Sequence, residues 1–313
     1  MTEEIVQVSG LTKCFGGLKA IDNLSFTAQK GEILGLVGPD GAGKTTTLRV
    51  LAGVLAADSG SVLLGGQDVL RNPEAIKSLI SYMPQQFGLY EDLTVAENIR
   101  FYADIFEVSH AARQQREQQL LEASGMSRFR GRLAGQLSGG MKRKLGIACA
   151  LIHTPQLLLL DEPTTGVDPV SRRELWSILY SLVFEGVSVL VSTAYLDEAE
   201  RCHRLLLMYK GRRLFFGTPT ELKSMLPGAV LSISSPNPEV LRSIVVGEQG
   251  VLSAMAMGDT VHVVVDDADL RSTQLRARFE QSRVPFGELR RTTASVEDVF
   301  VYAISRQRTQ IGT

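Results

Sequence analysis

Cysteine, unbalanced charge and long apolar runs are all scarce in this sequence, and each shortage excludes a class of protein. Three cysteines, Cys14, Cys149 and Cys202, are an odd set in a chain of 313 residues. A disulfide scaffold is therefore excluded, and reduced, buried thiols of the intracellular kind are expected. Lys+Arg 33 against Asp+Glu 34 leave a net charge of −1, so no global field draws the chain to nucleic acid. The longest apolar stretches, such as residues 157–160, fall far short of the roughly 20 needed to span a bilayer. The opening MTEEIVQVSG has neither the basic nor the apolar segment of a secretory signal. Together these absences predict a cytosol-facing chain that does not cross a membrane alone. What is present is ordinary. A composition of 44% hydrophobic and 21% charged residues excludes disorder and supplies a sizeable core. The length fits one large domain, or a main domain with a smaller appendage.

Patterning along the chain predicts alternating strands and helices. Residues 5–26 read as short strands with a turn at Gly16 and Gly17, and residues 32–37 as a buried strand entering a glycine-rich loop. Residues 94–124 read as helical. Thr94 and Glu97 form a capping-box pattern, Val95, Ile99, Tyr102 and Phe106 share a face, and a second, polar helix opens near Ser109. Two continuous apolar strands, 157–160 and 188–192, flank a helix over 170–185, which argues for a parallel sheet covered on both faces. Composition changes near Thr218 and Pro219. Beyond them the order is strand 230–235, helix 238–246, strands 251–257 and 261–265, helix 270–281 and strand 286–292, then a closing helix near 295–304. That β-α-β-β-α-β order is the ferredoxin-like arrangement.

The strongest chemical signal is the run Gly38, Pro39, Asp40, Gly41, Ala42, Gly43, Lys44, Thr45, Thr46. It matches the phosphate-binding loop pattern between a strand and a helix, where glycines let backbone N–H groups and the helix N-terminus converge on phosphate oxygens. Lys44 would neutralise the β- and γ-phosphates, and the Thr45 hydroxyl would hold Mg²⁺. Asp161 and Glu162 follow the strand at 157–160. Alone, two acids there are a solvated strand end; paired with the upstream loop, Asp161 suits a Mg²⁺ shell and Glu162 suits polarisation of an attacking water. Ser138, Gly139 and Gly140 open a basic helix and make a second anion-binding device, though an isolated triplet of this kind is a plain loop. Gln85 could coordinate Mg²⁺, or be only a polar loop residue.

Together these residues resemble the ATP-binding cassette family, over residues 5–218 and with five motifs in the family's order. Within it the chain is most similar to ATPases that export drugs, polysaccharides and related cargo; Ser295, Glu297, Asp298, Val299 and Phe300 resemble that group's closing segment. The resemblance implies an α/β, P-loop NTPase cassette with a RecA-like core, an antiparallel β subdomain and a helical subdomain at about 88–150. The cassette would occupy residues 1–220, and a small α+β accessory domain residues 221–313. It implies ATP and Mg²⁺ as cofactors and ATP hydrolysis as the reaction. By the same resemblance Phe15 would stack on adenine (packing in the core being the other reading), and Gln85 would be the glutamine-loop residue. Ser138, Gly139 and Gly140 would complete the site of a facing subunit, and Asp168 would lie across the dimer interface. The implied partners are a second cassette, identical or not, and a separate transmembrane permease, with the chain on the cytoplasmic face of the cell membrane. Residues 87–90 could grip a permease helix or form a subdomain core cluster.

Three departures matter. Ala194 stands where the family carries a histidine, and His110, His153, His203 and His262 all lie elsewhere. His203 is expected at the surface, no stand-in for the missing ring. A lost transition-state donor costs on the order of 10²–10³ in rate, so ATP binding should survive while hydrolysis at the chain's own site slows. Asp40 replaces the usual asparagine. At about 6 Å a carboxylate would repel a phosphate charge by roughly 3 kcal/mol at an effective dielectric of 20, so it should point away. Met141 replaces the signature glutamine but leaves the Ser-Gly-Gly backbone untouched. Two other functions stay open: a soluble cassette ATPase acting on ribosomes or nucleic acid, and a regulatory nucleotide-binding subunit with little turnover.

Overall fold

The computed structural model describes residues 3–311, with side chains described through Ser305. Residues up to Phe216 form one compact unit and residues from Gly217 onward another.

The first unit opens with β1 (Glu4–Phe15) and β2 (Leu18–Gln29), followed by β3 (Ile33–Val37), α1 (Lys44–Leu51), β4 (Ser59–Leu64), β5 (Gln67–Asp68) and β6 (Ile80–Met83). Three helices come next, α2 (Val95–Ile105), α3 (His110–Ala123) and α4 (Gly139–Ala150). Then β7 (Leu157–Asp161), α5 (Pro169–Phe184), β8 (Ser188–Thr193), α6 (Leu196–Ala199), β9 (Arg204–Tyr209) and β10 (Arg212–Gly217) complete it. A six-stranded sheet runs in the order β10-β9-β3-β8-β7-β6, and a four-stranded sheet in the order β2-β1-β4-β5. Strand β3 is parallel to β8 and β9, and β7 is parallel to β6 and β8. Every residue of β3, β7 and β8 is buried; cover on both faces accounts for the apolar runs 157–160 and 189–191, and the buried polar residues Asp161, Ser188, Ser192 and Thr193 lie at the strand ends.

The first two strands are longer than the expected short ones, at 12 residues each. Register shifts between Val8 and Leu11 and again beside Lys13 break the alternation that would have revealed them. Helix α2 starts as its sequence pattern requires: the Glu97 amide donates to Thr94 Oγ1 at 3.2 Å and the Thr94 amide to Glu97 Oε2 at 2.8 Å. Val95 and Ile99 are buried, and Tyr102 and Phe106 pack at the edge of the same core. Of the thiols, Cys149 and Cys202 are buried and burial pushes both up in pKa. Cys14 is only half-buried, because its strand is shared between core and surface. Among the described residues no helix is long and apolar enough to cross a membrane.

The second unit consists of α7 (Pro219–Ser224), β11 (Ala229–Ser234), α8 (Pro238–Val245), β12 (Val251–Met257), β13 (Thr260–Val265), α9 (Ala268–Ser282), β14 (Leu289–Thr292) and α10 (Val296–Ile311). Its sheet order is β12-β13-β11-β14, with antiparallel neighbours throughout, which is the ferredoxin-like topology. Leu231 and Ile233 of the sheet meet Leu241 and Val245 of α8 and Leu275 and Phe279 of α9 in one apolar core. Asp298 ties the start of α10 down: it accepts from the Ser295 amide at 2.8 Å and lies 3.0 Å from His262 Nδ1 on β13. Burial, which alone would raise the Asp298 pKa, is outweighed by the bonds from His262 and Ser295, so the carboxyl sits below its ordinary value of 3.8.

Candidate nucleotide site

Strand β3 ends at Val37, the chain turns through Gly38 to Gly43, and α1 begins at Lys44. Two glycines make that turn possible. Gly43 has φ 103°, and a Cβ there would stand 2.5 Å from the Ala20 carbonyl oxygen; a Cβ on Gly38 would collide with the Met208 carbonyl. At these two positions the loop lies against backbone with no room for a side chain, and the loop borders a cavity of about 410 Å³. Asp40 to Thr46 line this cavity together with Gln85, Glu162 and Thr165. Residues separated by more than a hundred positions meet here because β3, β7 and β8 are parallel neighbours, so their C-terminal ends share one edge.

Lys44 is buried, and its ammonium donates to the Gly38 carbonyl at 2.8 Å and stands 3.3 Å from Glu162 Oε1. Thr45 Oγ1 donates to Asp161 Oδ1 at 3.0 Å. Gln85 Nε2 donates to Glu162 Oε2 at 3.1 Å, and Thr165 Oγ1 reaches the same oxygen at 3.3 Å. Arg143, whose pKa burial lowers, holds the Gln85 carbonyl at 2.6 Å. The cavity thus brings the buried Lys44 ammonium, the Glu162 carboxylate, the Thr45 hydroxyl and the Gln85 amide to a helix N-terminus, with the Asp161 carboxylate directly behind Thr45. Such a set suits a polyphosphate and a hard divalent cation.

Phe15, residues 87–90 and Asp168 do not line this cavity. Phe15 is 51% exposed, so the core-packing reading is wrong; Lys13 Nζ sits 5.5 Å from its ring centre. Ser138 caps α4, its Oγ accepting from the Met141 amide at 3.3 Å, and neither it nor Gly139 nor Gly140 lines the phosphate-loop cavity. Gly140 packs tightly, since a Cβ there would fall 2.5 Å from Ser171 Oγ. Met141 packs against the core of the first unit. Asp168 is exposed and caps α5 through the amides of Val170 and Ser171, both at 3.0 Å. Those bonds, the Ser171 contribution largest, hold its carboxyl below the usual range. Asp40 is exposed on the loop. Residues 87–90 divide: Phe87 and Leu89 pack on the core, and Phe87 stacks on Tyr102 at 5.1 Å, while Tyr90 is 47% exposed.

Ala194 follows β8 and is half-buried. His203 accepts a bond from the Ile33 amide at 3.0 Å. Ile33 begins β3, so His203 sits at the end of that strand opposite the phosphate loop and cannot replace a donor there. Sequence reasoning missed three groups. Ser192 Oγ donates to Asp161 Oδ1 at 2.7 Å, Tyr82 OH reaches Asp161 Oδ2 at 3.4 Å, and Thr164 and Thr193 both donate to buried Glu198, at 3.0 and 2.8 Å. The equal spacing of two apolar runs from Asp161 and Ser192 was the one available signal for the first.

Residues 21–165 match the family described as ABC transporter. The chain is 44% identical over 306 residues to the "Probable multidrug ABC transporter ATP-binding protein YbhF" of Escherichia coli (strain K12), covering 96% of this chain and 52% of that protein. It thus spans about half the length of that relative. It is 36% identical over 311 residues to the Nod factor export ATP-binding protein I of Paraburkholderia xenovorans (strain LB400), covering 98% of this chain and 99% of that one. Among solved structures, an ATP-binding subunit of an ABC transporter superposes with a TM-score of 0.64 at 29% identity, covering 71% of this chain and 92% of its own. A dimeric post-hydrolysis cassette bound to ADP and phosphate gives 0.62 at 25% identity, covering 68% and 98%. The fold is the P-loop cassette with its β and helical subdomains, and the chain belongs to the ABC transporter family as an ATP-binding protein of the group that includes those named for multidrug and Nod factor export.

Proposed function

We propose that the chain binds Mg·ATP at the loop 38–46 and hydrolyses it, paired head to tail with a second cassette, to drive export through a separate permease on the cytoplasmic face of a membrane. One observation carries the reading: Lys44, Thr45, Gln85 and Glu162 line a single loop-lined cavity, and Asp161 is joined to it through the Thr45 hydroxyl at 3.0 Å. Lys44 would release its bonds to the Gly38 carbonyl and Glu162 in favour of the β- and γ-phosphates. Thr45 and Asp161, joined at 3.0 Å, and Gln85 carry neutral or anionic oxygen donors that fit Mg²⁺ and would hold it; the ion would supply positive charge to offset that developing on the phosphates. Glu162, freed from Lys44, would accept a proton from the attacking water. Phe15, exposed at the end of β1, would stack on the base. Ser138, Gly139 and Gly140 have amides free of the cavity in their own chain, which supports their serving ATP on a facing subunit, with Asp168 at the same junction.

The permease reading rests on a surface feature. A groove of about 650 Å³ is lined by Val54, Tyr82, Phe87, Tyr102, Ile105 and Phe106 among others, with Val54 67% and Ile105 55% exposed. It lies directly beside the Gln85 segment, so an apolar helix seated in it would touch the site's own loop. Drug-like cargo is the class that the relatives named for multidrug and for daunorubicin/doxorubicin resistance support. A second reading, a regulatory subunit with little turnover, is favoured by Ala194 alone. The two part in one assay: single-turnover hydrolysis of ATP by the purified chain, with Glu162→Gln as the inactive control, alone and mixed with a cassette that carries the histidine. Turnover that rises only in the mixture fits a chain that is slow at its own site and competent at its neighbour's. Absence of turnover in both supports the regulatory reading.

A further inference from the structure

We propose that Ser192 is a positioning residue for both carboxylates of the site, resting on the Mg·ATP reading above. Its hydroxyl does two things at once. It donates to Asp161 Oδ1 at 2.7 Å and accepts the backbone N–H of Glu162 at 2.9 Å. The residue is fully buried, and it faces Asp161 across the parallel β7–β8 ladder, where Asp161 pairs with Ser192. One side-chain oxygen therefore ties the carboxylate proposed to hold Mg²⁺ to the amide of the residue proposed as general base.

The second bond matters because Glu162 is strained. Its φ is 49°, the left-handed region that a residue with a Cβ avoids. Such a conformation persists only where its surroundings over-determine it. Here the turn after β7 is held from below by Ser192, and the resulting direction aims the Glu162 carboxylate at Lys44, 3.3 Å away, and at Gln85. The first bond fixes the other carboxylate. Asp161 Oδ1 already accepts from Thr45 Oγ1, so the Ser192 hydroxyl sets which oxygen faces the loop and which lone pairs remain for a cation. A bond to a metal-facing carboxylate from behind is worth about 10–100-fold in metal affinity elsewhere.

The test separates the hydroxyl from its volume. Equilibrium binding of the non-hydrolysable analogue AMPPNP would be measured in EDTA and at stepped MgCl₂ for wild type, Ser192→Ala, Ser192→Thr and Asp161→Asn, with melting temperature recorded for each. Ser192→Ala should raise the MgCl₂ concentration for half-maximal tightening by about tenfold, leave affinity in EDTA within about twofold, and be rescued by Ser192→Thr. A purely structural serine would lower the melting temperature and leave the magnesium dependence where it was. An unchanged dependence in Ser192→Ala overturns the proposal, as does a loss that Ser192→Thr fails to restore. Should Ser192→Ala not fold, Ser192→Cys keeps the volume with a poorer donor and decides by the same criterion. If Ser192→Ala is silent while Asp161→Asn abolishes the dependence, the site stands and only the role of Ser192 falls. If Asp161→Asn is silent too, the site reading falls with it.

Discussion

Strands β3, β7 and β8 of the first unit run parallel and are buried along their whole length, whereas the sheet of the second unit is antiparallel throughout. The difference decides where chemistry can gather. Parallel strands deliver their C-terminal ends to one edge, so the loops after Val37, Asp161 and Thr193 crowd together although the sequence separates them widely. Antiparallel strands send successive ends to opposite edges and scatter their loops. The polar groups of the second unit accordingly form local ties: Asp298 with His262, and Arg271 forked onto Asp266 at 2.8 and 2.9 Å. Among the described residues the first unit holds buried charge both in a site, at Lys44 and Asp161, and in ties such as Glu32 with Arg204 and Glu117 with Arg130; the second shows only the ties.

The sharpest way to test this division is Ala194→His. Supplying a donor beside the first unit's cavity should raise kcat on the order of 10²-fold while ATP affinity changes little, because a transition-state donor acts mainly on the chemical step. Steady-state hydrolysis and equilibrium binding on both variants check it. A rate already fast in wild type and unmoved by the histidine would mean that another group supplies the donor. Next in size is Lys44→Ala. Removing a buried ammonium that contacts phosphate should weaken ATP binding roughly 10–100-fold, the worth of one or two charged hydrogen bonds. Equal affinity in the two proteins would remove the loop from the site.

How far the sequence alone exposed this comparison depends on range. The loop 38–46 was legible because glycine, lysine and threonine act within one turn, and the start of α2 because Thr94 and Glu97 are three positions apart. The second unit's element order was legible too, as its strands and helices are short and separated by turn residues such as Pro238, Gly250 and Gly258. Ser192 and Tyr82 were not, since their shared partner Asp161 lies 31 and 79 positions away and only the pairing of neighbouring strands joins them. The long hairpin β1–β2 was misread as short strands because bulges interrupt its alternation. Cys14, expected to be buried, is half-exposed for the related reason that burial along an irregular strand does not follow residue type.

A smaller effect probes the second unit's ties. The Asp298 carboxyl is held below 3.8 in the folded chain, so it contributes stability above about that pH and loses it as pH falls through the depressed value. Asp298→Asn should therefore cost about 1–3 kcal/mol at neutral pH and flatten the acid limb of the stability curve. The sequence holds one tryptophan, Trp176, buried in the first unit. Circular dichroism should register the loss while Trp176 fluorescence does not. A shift of both signals together would mean that the two units unfold as one.

The smallest expected effect is the most demanding of the comparison. A chain ending at Thr218 keeps β10 whole and removes α7 to α10. Every residue that lines the phosphate-loop cavity lies before residue 166, and the two apolar clusters that support it are built from residues up to 208, with Phe216 packed at their edge. Its core is therefore intact without the second unit, and Mg·ATP affinity should change by less than about twofold, an energy below roughly 0.4 kcal/mol. Binding by calorimetry and melting followed through Trp176 would be compared with the full chain. A truncated protein that melts normally yet loses nucleotide would show that the ferredoxin-like unit reaches the site through contacts its own sheet logic does not predict. One that keeps its nucleotide would confine the chemistry to the parallel sheet.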